Sequence, residues 1–188
     1  MFVSEYKYNF IDLFSGAGGL SEGFFNCNFN PIAHVEMNTY ASETLKTRSC
    51  YYYLKRINQL DIYYDYLRGR ISQQELYDYV PEDVLETVIN LEISDKTYKH
   101  IFEKIDVIMR KDGINSVDLV IGGPPCQAYS LVGRASDPNK MEDDPRNDLY
   151  IQYARFLNKY KPKMFIFENV PGMLTAKKGI IWKRIQQR

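Results

Sequence analysis

The stretch NFIDLFSGAGGLSEGF, residues 9–24, joins a short apolar run to a turn rich in glycine. The run at 9–14 has the length and composition of a buried strand, because a strand covered on both faces needs no polar alternation. The glycines allow a tight turn, and the residues after them open a helix. A strand that passes into a helix in this way predicts the first unit of a parallel α/β sheet.

The same order of elements continues along the chain. A second strand is predicted at 31–36, and Asn38 or Thr39 caps the helix that follows it. Further buried strands are predicted at 117–123 and 163–168, the latter as a central strand. The alternation of strands and helices predicts an α/β fold with a mostly parallel, doubly wound sheet.

Several helices are predicted between and after these strands. One begins at Pro81 and runs through 81–91, and a longer one runs from a cap at Ser94 or Asp95 to about Gly113. Apolar residues at helical spacing predict another helix at 147–160. A last helix is predicted in the segment around Trp182. The segment 51–91 is rich in tyrosine and predicts a half-buried packing layer, with a partner or ligand surface as the alternative.

Composition describes an ordinary globular chain. Its 188 residues fit one domain, and 24 basic residues balance 24 acidic ones. No apolar run reaches about 18 residues, so we expect no membrane span and no membrane partner. The three cysteines are too far apart for a CxxC motif, which favours a reducing, cytoplasmic location and gives no metal site. His34 and His100 are isolated, and neither is assigned a role.

The glycine turn and a later carboxylate together predict a cofactor site. Free N–H groups at the start of a helix bind polar or anionic groups, and Gly16, Gly18 and Gly19 let a ligand approach the backbone. Glu36 follows Gly16 by 20 residues at the end of the second strand, where a carboxylate can accept hydrogen bonds from ribose hydroxyls. The spacing departs from GxGxxG, which favours a cofactor with ribose but no pyrophosphate.

A second stretch, IGGPPCQAYS at 121–130, places Cys126 directly after two glycines and two prolines, in a stiff turn at the end of a strand. With FIDLFSGAGGLSEGF before it and FENVPGM after it, GGPPCQAYS resembles motif IV of the cytosine-C5 DNA methyltransferases, and the other two segments resemble motifs I and VI. The resemblance covers about 9–50 and 115–175. It implies the Rossmann-like methyltransferase fold, S-adenosyl-L-methionine as cofactor and S-adenosyl-L-homocysteine as product.

The resemblance also implies the chemistry. The thiolate of Cys126 would add to C6 of cytosine and so make C5 nucleophilic enough to take a methyl group, which is covalent catalysis. A protonated Glu168 would donate to N3 of the ring and accept from the exocyclic amine. The thiol cannot reach a base inside a duplex, so the cytosine would be flipped out. The prolines and glycines before Cys126 would fix the geometry of attack.

Other roles follow from matching positions in the family's motifs. The third motif, Asp-Ile or similar, has no clean match, and Ile93 is preferred to the pair Asp61–Ile62. Substrate contacts are expected from Pro125, Gln127, Ser130, Asn169 and Val170. Cofactor contacts are expected from Phe14, Gly16, Ala17, Gly18, Gly19, Glu36, Met37, Ile93, Gly123, Pro124 and Leu149.

The resemblance implies that residues 1–188 are the N-terminal part of a catalytic domain that is incomplete at its C-terminus. It also implies that 51–91 is a helical insertion and that the target-recognition domain is absent from these residues. The expected partners are double-stranded DNA and a missing C-terminal region or complementary subunit, and an open strand edge would also allow a homodimer. The expected setting is bacterial restriction-modification. An RNA cytosine-C5 methyltransferase, an inactive cofactor-binding or regulatory subunit and, less favoured, a thiol hydrolase stay open as alternatives.

Overall fold

The computed structural model of the chain describes residues 7–125, 149–175 and 179–186. Five strands form one sheet, and every neighbouring pair is parallel. In chain order they are β1 (Tyr8–Leu13), β2 (Phe29–Val35), β3 (Val88–Ile89), β4 (Leu119–Gly122) and β5 (Met164–Phe167). Across the sheet the order is β3-β2-β1-β4-β5. No helix within the described ranges is both long and apolar enough to cross a membrane.

The helices of the described residues connect these strands. They are α1 (Glu22–Asn26), α2 (Thr39–Arg56), α3 (Leu60–Leu67), α4 (Gln73–Asp78), α5 (Glu82–Glu86), α6 (Tyr98–Lys111), α7 (Leu149–Tyr160), α8 (Gly172–Thr175) and α9 (Ile180–Gln186). The predicted cap of α2 is confirmed, because the side chain of Asn38 accepts a hydrogen bond of 3.0 Å from the backbone N–H of Ala41.

Helices cover both faces of the sheet. On one face Ile11 of β1 belongs to the same buried cluster as Ile105 of α6 and Phe156 of α7. On the other face Phe10 packs against Phe24 of α1, with ring centroids 5.7 Å apart. Residues 10 and 11 point to opposite faces of the sheet, and both faces are covered by apolar side chains. This explains why the sequence of the strand is continuously apolar. The predicted α/β, doubly wound fold is therefore confirmed.

A buried polar contact joins two strands just before they end. Asp12 and His34 are paired in the register of β1 and β2, and each is only 1% exposed. Their side chains meet at 3.2 Å between Asp12 Oδ2 and His34 Nδ1, and the ring of Phe25 stacks on the imidazole. Such a group is retained in a core only when a polar partner is present. His34 is thus part of the packing between strands and is distant from solvent.

The tyrosine-rich segment builds a small core of its own. Cys50 and Leu54 of α2 form a buried cluster with Leu76 and Val80, and α3 and α4 pack around it. Four tyrosines lie partly buried against this cluster, as the packing interpretation predicts: Tyr53, Tyr63, Tyr66 and Tyr77. Burial also raises the pKa of the Cys50 thiol to about 12, which makes this cysteine a packing residue and a poor nucleophile.

The helix predicted at 81–91 is wrong in its second half. The structure has a short helix, α5, followed directly by the strand β3. The backbone N–H of Glu36 donates to the carbonyl of Ile89 at 3.1 Å, so pairing with β2 decides the conformation. The β-branched Val88 and Ile89 suit a strand better than a helix, and tertiary pairing overrides the weak helical pattern.

Two further predictions need correction. The helix expected to start from a cap at Ser94 or Asp95 begins at Tyr98, because Ser94 instead donates its backbone N–H to the hydroxyl of Thr97 at 3.1 Å in the preceding turn. The strand predicted as central, β5, lies at the edge of the described sheet. Its apolar sequence matches a central strand, yet Met164 is 63% exposed and Phe165 is 55% exposed.

We predict that Gly122→Ala lowers the free energy of unfolding by roughly 3 kcal/mol, because backbone strain and a steric clash add together. The residue has φ of 143°, and a Cβ atom there would lie 2.1 Å from the carbonyl oxygen of Leu13. Urea unfolding measures the loss. Gly23→Ala is the control, since a Cβ there meets open space in α1. Equal midpoints for both variants would show that β1 and β4 are not this close.

Candidate active site

Four strands end at the same level of the sheet. Leu13 of β1 is paired with Val35 of β2 on one side and with Gly122 of β4 on the other, and Gly122 is paired with Phe167 of β5. The residue after each of these lies in one row along the carboxyl edge of the sheet, where parallel sheets bind ligands. The row consists of Phe14, Glu36, Gly123 and Glu168.

The glycine turn begins at this row. Phe14 and Gly16 both have positive φ, of 56° and 54°, so the chain turns sharply after β1. Ser15 holds the turn against β2, because its backbone N–H donates to the carbonyl of Val35 at 3.1 Å. At Gly18 a Cβ atom would lie 2.9 Å from Leu45 Cδ2, so the packing of α2 accounts for this glycine.

Glu36 is anchored by backbone donors on both sides. Its Oε2 accepts from the N–H of Gly16 at 2.8 Å, and its Oε1 accepts from the N–H of Asn38 at 2.7 Å. Each carboxylate oxygen has two acceptor directions, so each keeps one for a ligand. The carboxylate is thereby fixed in orientation beside the glycine turn.

A cleft of about 580 Å³ opens beside this carboxylate. Seven of the predicted site residues line it, namely Phe14, Glu36, Met37, Ile93, Gly123, Pro125 and Leu149. The walls are largely apolar, and the side chain of Met37 is 64% exposed. Glu36, Glu92 and Asp95 also border the cleft, which therefore offers hydrogen-bond acceptors beside an apolar surface, as ligand pockets commonly do. Ala17, Gly18 and Gly19 do not line it within the part of the chain that the structure describes.

The cleft distinguishes the two candidates for the third motif. Ile93 is 4% exposed and lies on the cleft wall, four residues after the end of β3. Ile62 lies on α3 and packs against the tyrosine-rich core. Leu91, which the sequence did not single out, also lines the cleft.

The ends of β4 and β5 are held in close contact. The backbone N–H of Glu168 donates to the carbonyl of Gly122 at 3.0 Å, and Asn169 Nδ2 donates to the carbonyl of Pro124 at 2.9 Å. A Cβ atom on Gly123 would lie 2.3 Å from the carbonyl oxygen of Glu168 and 2.6 Å from its Oε2. The exposed carboxyl of Glu168 therefore borders the segment that leads to Cys126.

Val170 donates its backbone N–H to Asn169 Oδ1 at 2.9 Å, which shapes the turn after β5. Cys126, Gln127 and Ser130 lie outside the described residues, so their predicted roles stay predictions.

Sequence reasoning missed a polar group on the far wall of the cleft. Gln152 of α7 is 7% exposed and donates to Asp95 Oδ1 at 3.3 Å. Arg155 donates to the same oxygen at 2.5 Å, and this hydrogen bond lowers the pKa of the Asp95 carboxyl. Gln152 follows Leu149 by three residues, so the helical spacing of α7 could have revealed that both face the cleft.

Comparisons with known proteins agree with this arrangement. The family described as C-5 cytosine-specific DNA methylase matches residues 8–72 and 88–188. The type II methyltransferase M.Bpa9945I of Bacillus paralicheniformis is 42% identical over 94% of this chain, and the type II methyltransferase M.DdeI of Desulfomicrobium norvegicum is 31% identical over 90%. The chain spans 44% of the length of the first and 29% of the second.

A solved structure described as a DNA modification methyltransferase encoded within a prophage (E. coli) is also similar. The TM-score is 0.57 at 25% identity, and the match covers 96% of this chain and 37% of that one. The neighbour supports the Rossmann-like methyltransferase fold, and the family's reaction is methyl transfer. The resemblance noted in the sequence is confirmed, and the chain belongs to the C-5 cytosine-specific DNA methylase family.

Proposed function

We propose that this chain is the cofactor-binding and nucleophile-bearing part of a DNA cytosine-C5 methyltransferase. One observation carries the proposal: Glu36 and Glu168 stand in the same row of strand ends, with the glycine turn and the cleft beside the first and the segment leading to Cys126 beside the second. This arrangement brings a ribose acceptor and a base-binding carboxyl to one edge of the sheet.

S-adenosyl-L-methionine is the proposed cofactor, and when bound it supplies the electrophilic methyl group. Glu36 would accept the ribose hydroxyls, because its two oxygens are already oriented by Gly16 and Asn38. Phe14, Ile93 and Leu149 would enclose the adenine among apolar side chains.

Cys126 would act on the cytosine as its thiolate. The sulfur forms a bond to C6, the electron pair of the C5–C6 double bond moves into the ring, and C5 becomes the nucleophile that takes the methyl group. The methyl group leaves its sulfur, which departs as part of S-adenosyl-L-homocysteine. Water would then accept the C5 proton, the C6–S bond would break to release the thiolate, and the proton on N3 would return to Glu168, so that the double bond and the enzyme are both restored. Glu168 would donate a proton to N3 as the charge develops and accept a hydrogen bond from the exocyclic amine.

The proposed substrate is cytosine in double-stranded DNA, flipped out of the helix, in a type II restriction-modification setting. The family name specifies DNA, and the similar solved structure is described as a DNA modification methyltransferase, which does not favour the RNA alternative. A DNA substrate would place the protein in the bacterial cytoplasm.

We further propose that another polypeptide segment, absent from residues 1–188, completes the catalytic domain at β5. Met164, Phe165 and Ile166 are 63%, 55% and 37% exposed, on a strand whose outer edge has free backbone groups in the described sheet. A strand added there would pair with the edge and cover the apolar side chains. The segment 51–91 would be an insertion in the catalytic domain, and it would take no part in binding the segment that pairs with β5.

We predict that Glu36→Ala weakens binding of S-adenosyl-L-homocysteine by roughly 10- to 100-fold, the usual effect of removing hydrogen bonds to a charged group. Isothermal titration calorimetry of the chain measures the dissociation constant. Glu103→Ala is the control, because Glu103 lies on α6 with an exposed side chain. Equal affinities for the wild type and Glu36→Ala would refute the ribose role.

We predict a covalent adduct between Cys126 and duplex DNA that carries 5-fluorocytosine, because the fluorine at C5 cannot leave as a proton does. The protein is assembled with a polypeptide that completes the length of its relatives, and S-adenosyl-L-methionine is added. Intact mass spectrometry should show the adduct for the wild type and for Cys27→Ser, and none for Cys126→Ser. DNA and cofactor that bind without any adduct would rule out the mechanism.

We predict that Phe165→Lys weakens binding of the completing polypeptide at least about tenfold, because burying an unpaired charge in an apolar interface is costly. Analytical ultracentrifugation with a labelled partner measures the affinity. Val107→Lys is the matched control, since Val107 is 52% exposed on α6. Unchanged affinity in Phe165→Lys, or an equal loss of affinity in both variants, would show that β5 is not the docking edge. If the wild type associates with itself and Phe165→Lys does not, the occupant of this edge is a second copy of the chain.

A further inference from the structure

The row of strand ends has a fifth member that the proposed chemistry does not use. Ile89, the last residue of β3, is paired with Val35 of β2. Asn90 therefore stands after β3 as Glu36 stands after β2. It is exposed at the surface and lies at the start of the chain segment that forms one wall of the cleft.

The side chain of Asn90 reaches back to the neighbouring strand end. Its Nδ2 donates to the carbonyl of Glu36 at 2.9 Å and to the carbonyl of Met37 at 3.1 Å. Its Oδ1 accepts from the hydroxyl of Thr39, the first residue of α2, at 3.3 Å. One amide thus bridges the end of β2, the connecting loop and the start of the following helix.

These contacts bear on the orientation of Glu36. The Glu36 carboxylate accepts from the N–H groups of Gly16 and Asn38, and its own backbone carbonyl accepts from Asn90 Nδ2. The same amide holds the carbonyl of Met37, whose exposed side chain borders the cleft. Ser42 Oγ also donates to the carbonyl of Glu36, at 3.3 Å. Without the bridge this contact would remain, but the backbone that carries the carboxylate would lose one of its fixed points.

We propose that Asn90 is a positioning residue for the ribose-binding carboxylate, an inference that rests on the proposed function. Its side chain contacts the carbonyls of Glu36 and Met37, and it would act on the cofactor through these two residues. An amide is required, since two carbonyl oxygens need N–H donors and a hydroxyl needs an acceptor. Aspartate has nearly the same shape but would place a carboxylate against two carbonyl oxygens, so Asn90→Asp tests the donor and Asn90→Ala tests the whole contact.

The test compares two ligands by calorimetry: S-adenosyl-L-homocysteine and its analogue that lacks both ribose hydroxyls. The wild type should prefer the first. We expect Asn90→Asp and Asn90→Ala to weaken its binding about three- to tenfold and to leave binding of the analogue nearly unchanged. Asn115→Ala, in an exposed loop before β4, should alter neither. In a Glu36→Ala background, Asn90→Ala should have little further effect, because coupled residues are not additive.

Three results would overturn the inference. Equal weakening of both ligands, with a lower melting temperature, would make Asn90 a structural residue of the β3 end. Unchanged ligand preference in both Asn90 variants would mean that Glu36 is positioned without it. A wild type that binds neither ligand would refute the proposed function and, with it, this inference. Calorimetry of the wild type alone reveals that outcome, before any variant is measured.

Discussion

The close approach of three strand ends is the constraint on which the site depends. Gly122 has no room for a side chain beside Leu13, and Gly123 has none beside Glu168. Any larger residue would separate β1, β4 and β5 and break their common register. Because the register is kept, residues from distant parts of the sequence reach the same edge without long side chains. The glycines before the two prolines therefore have a packing function that is independent of any reaction.

The sheet explains why much of this fold could be predicted and a part of it could not. Strands covered on both faces, such as β1 and β4, are apolar throughout and easily recognised. The two-residue strand β3 follows a helix and depends on pairing with β2, a contact that no local pattern encodes. For the same reason the sequence does not predict a role for Asn90, since its position at the sheet edge follows from β3. The apolar pattern of β5 indicated a central strand. Such a pattern shows which faces of a strand are suited to burial, but it does not show whether another strand pairs with each edge.

The candidate site was predicted to a similar extent and for related reasons. Residues directly after predicted strands were found, because the carboxyl edge of a parallel sheet gathers them whatever their identity. Gln152 and Asp95 were not, since they meet across the cleft from a helix and a loop that lie 57 residues apart in sequence. Ile93 was reached only through a resemblance in order along the chain. Contacts between side chains of different elements thus set the limit of what the sequence could tell.

The two carboxyl groups of the row differ in their surroundings, and this difference fits two separate tasks. Glu36 accepts a backbone N–H on each oxygen, so its orientation is fixed and its remaining lone pairs point in defined directions. Within residues 7–125, 149–175 and 179–186, the carboxyl of Glu168 accepts no backbone N–H. Among these residues, both of its oxygens are therefore open to a ligand that has a donor on one atom and an acceptor on the next. In the proposed function the ribose binds to the first kind of group, and the N3 and amine edge of cytosine binds to the second.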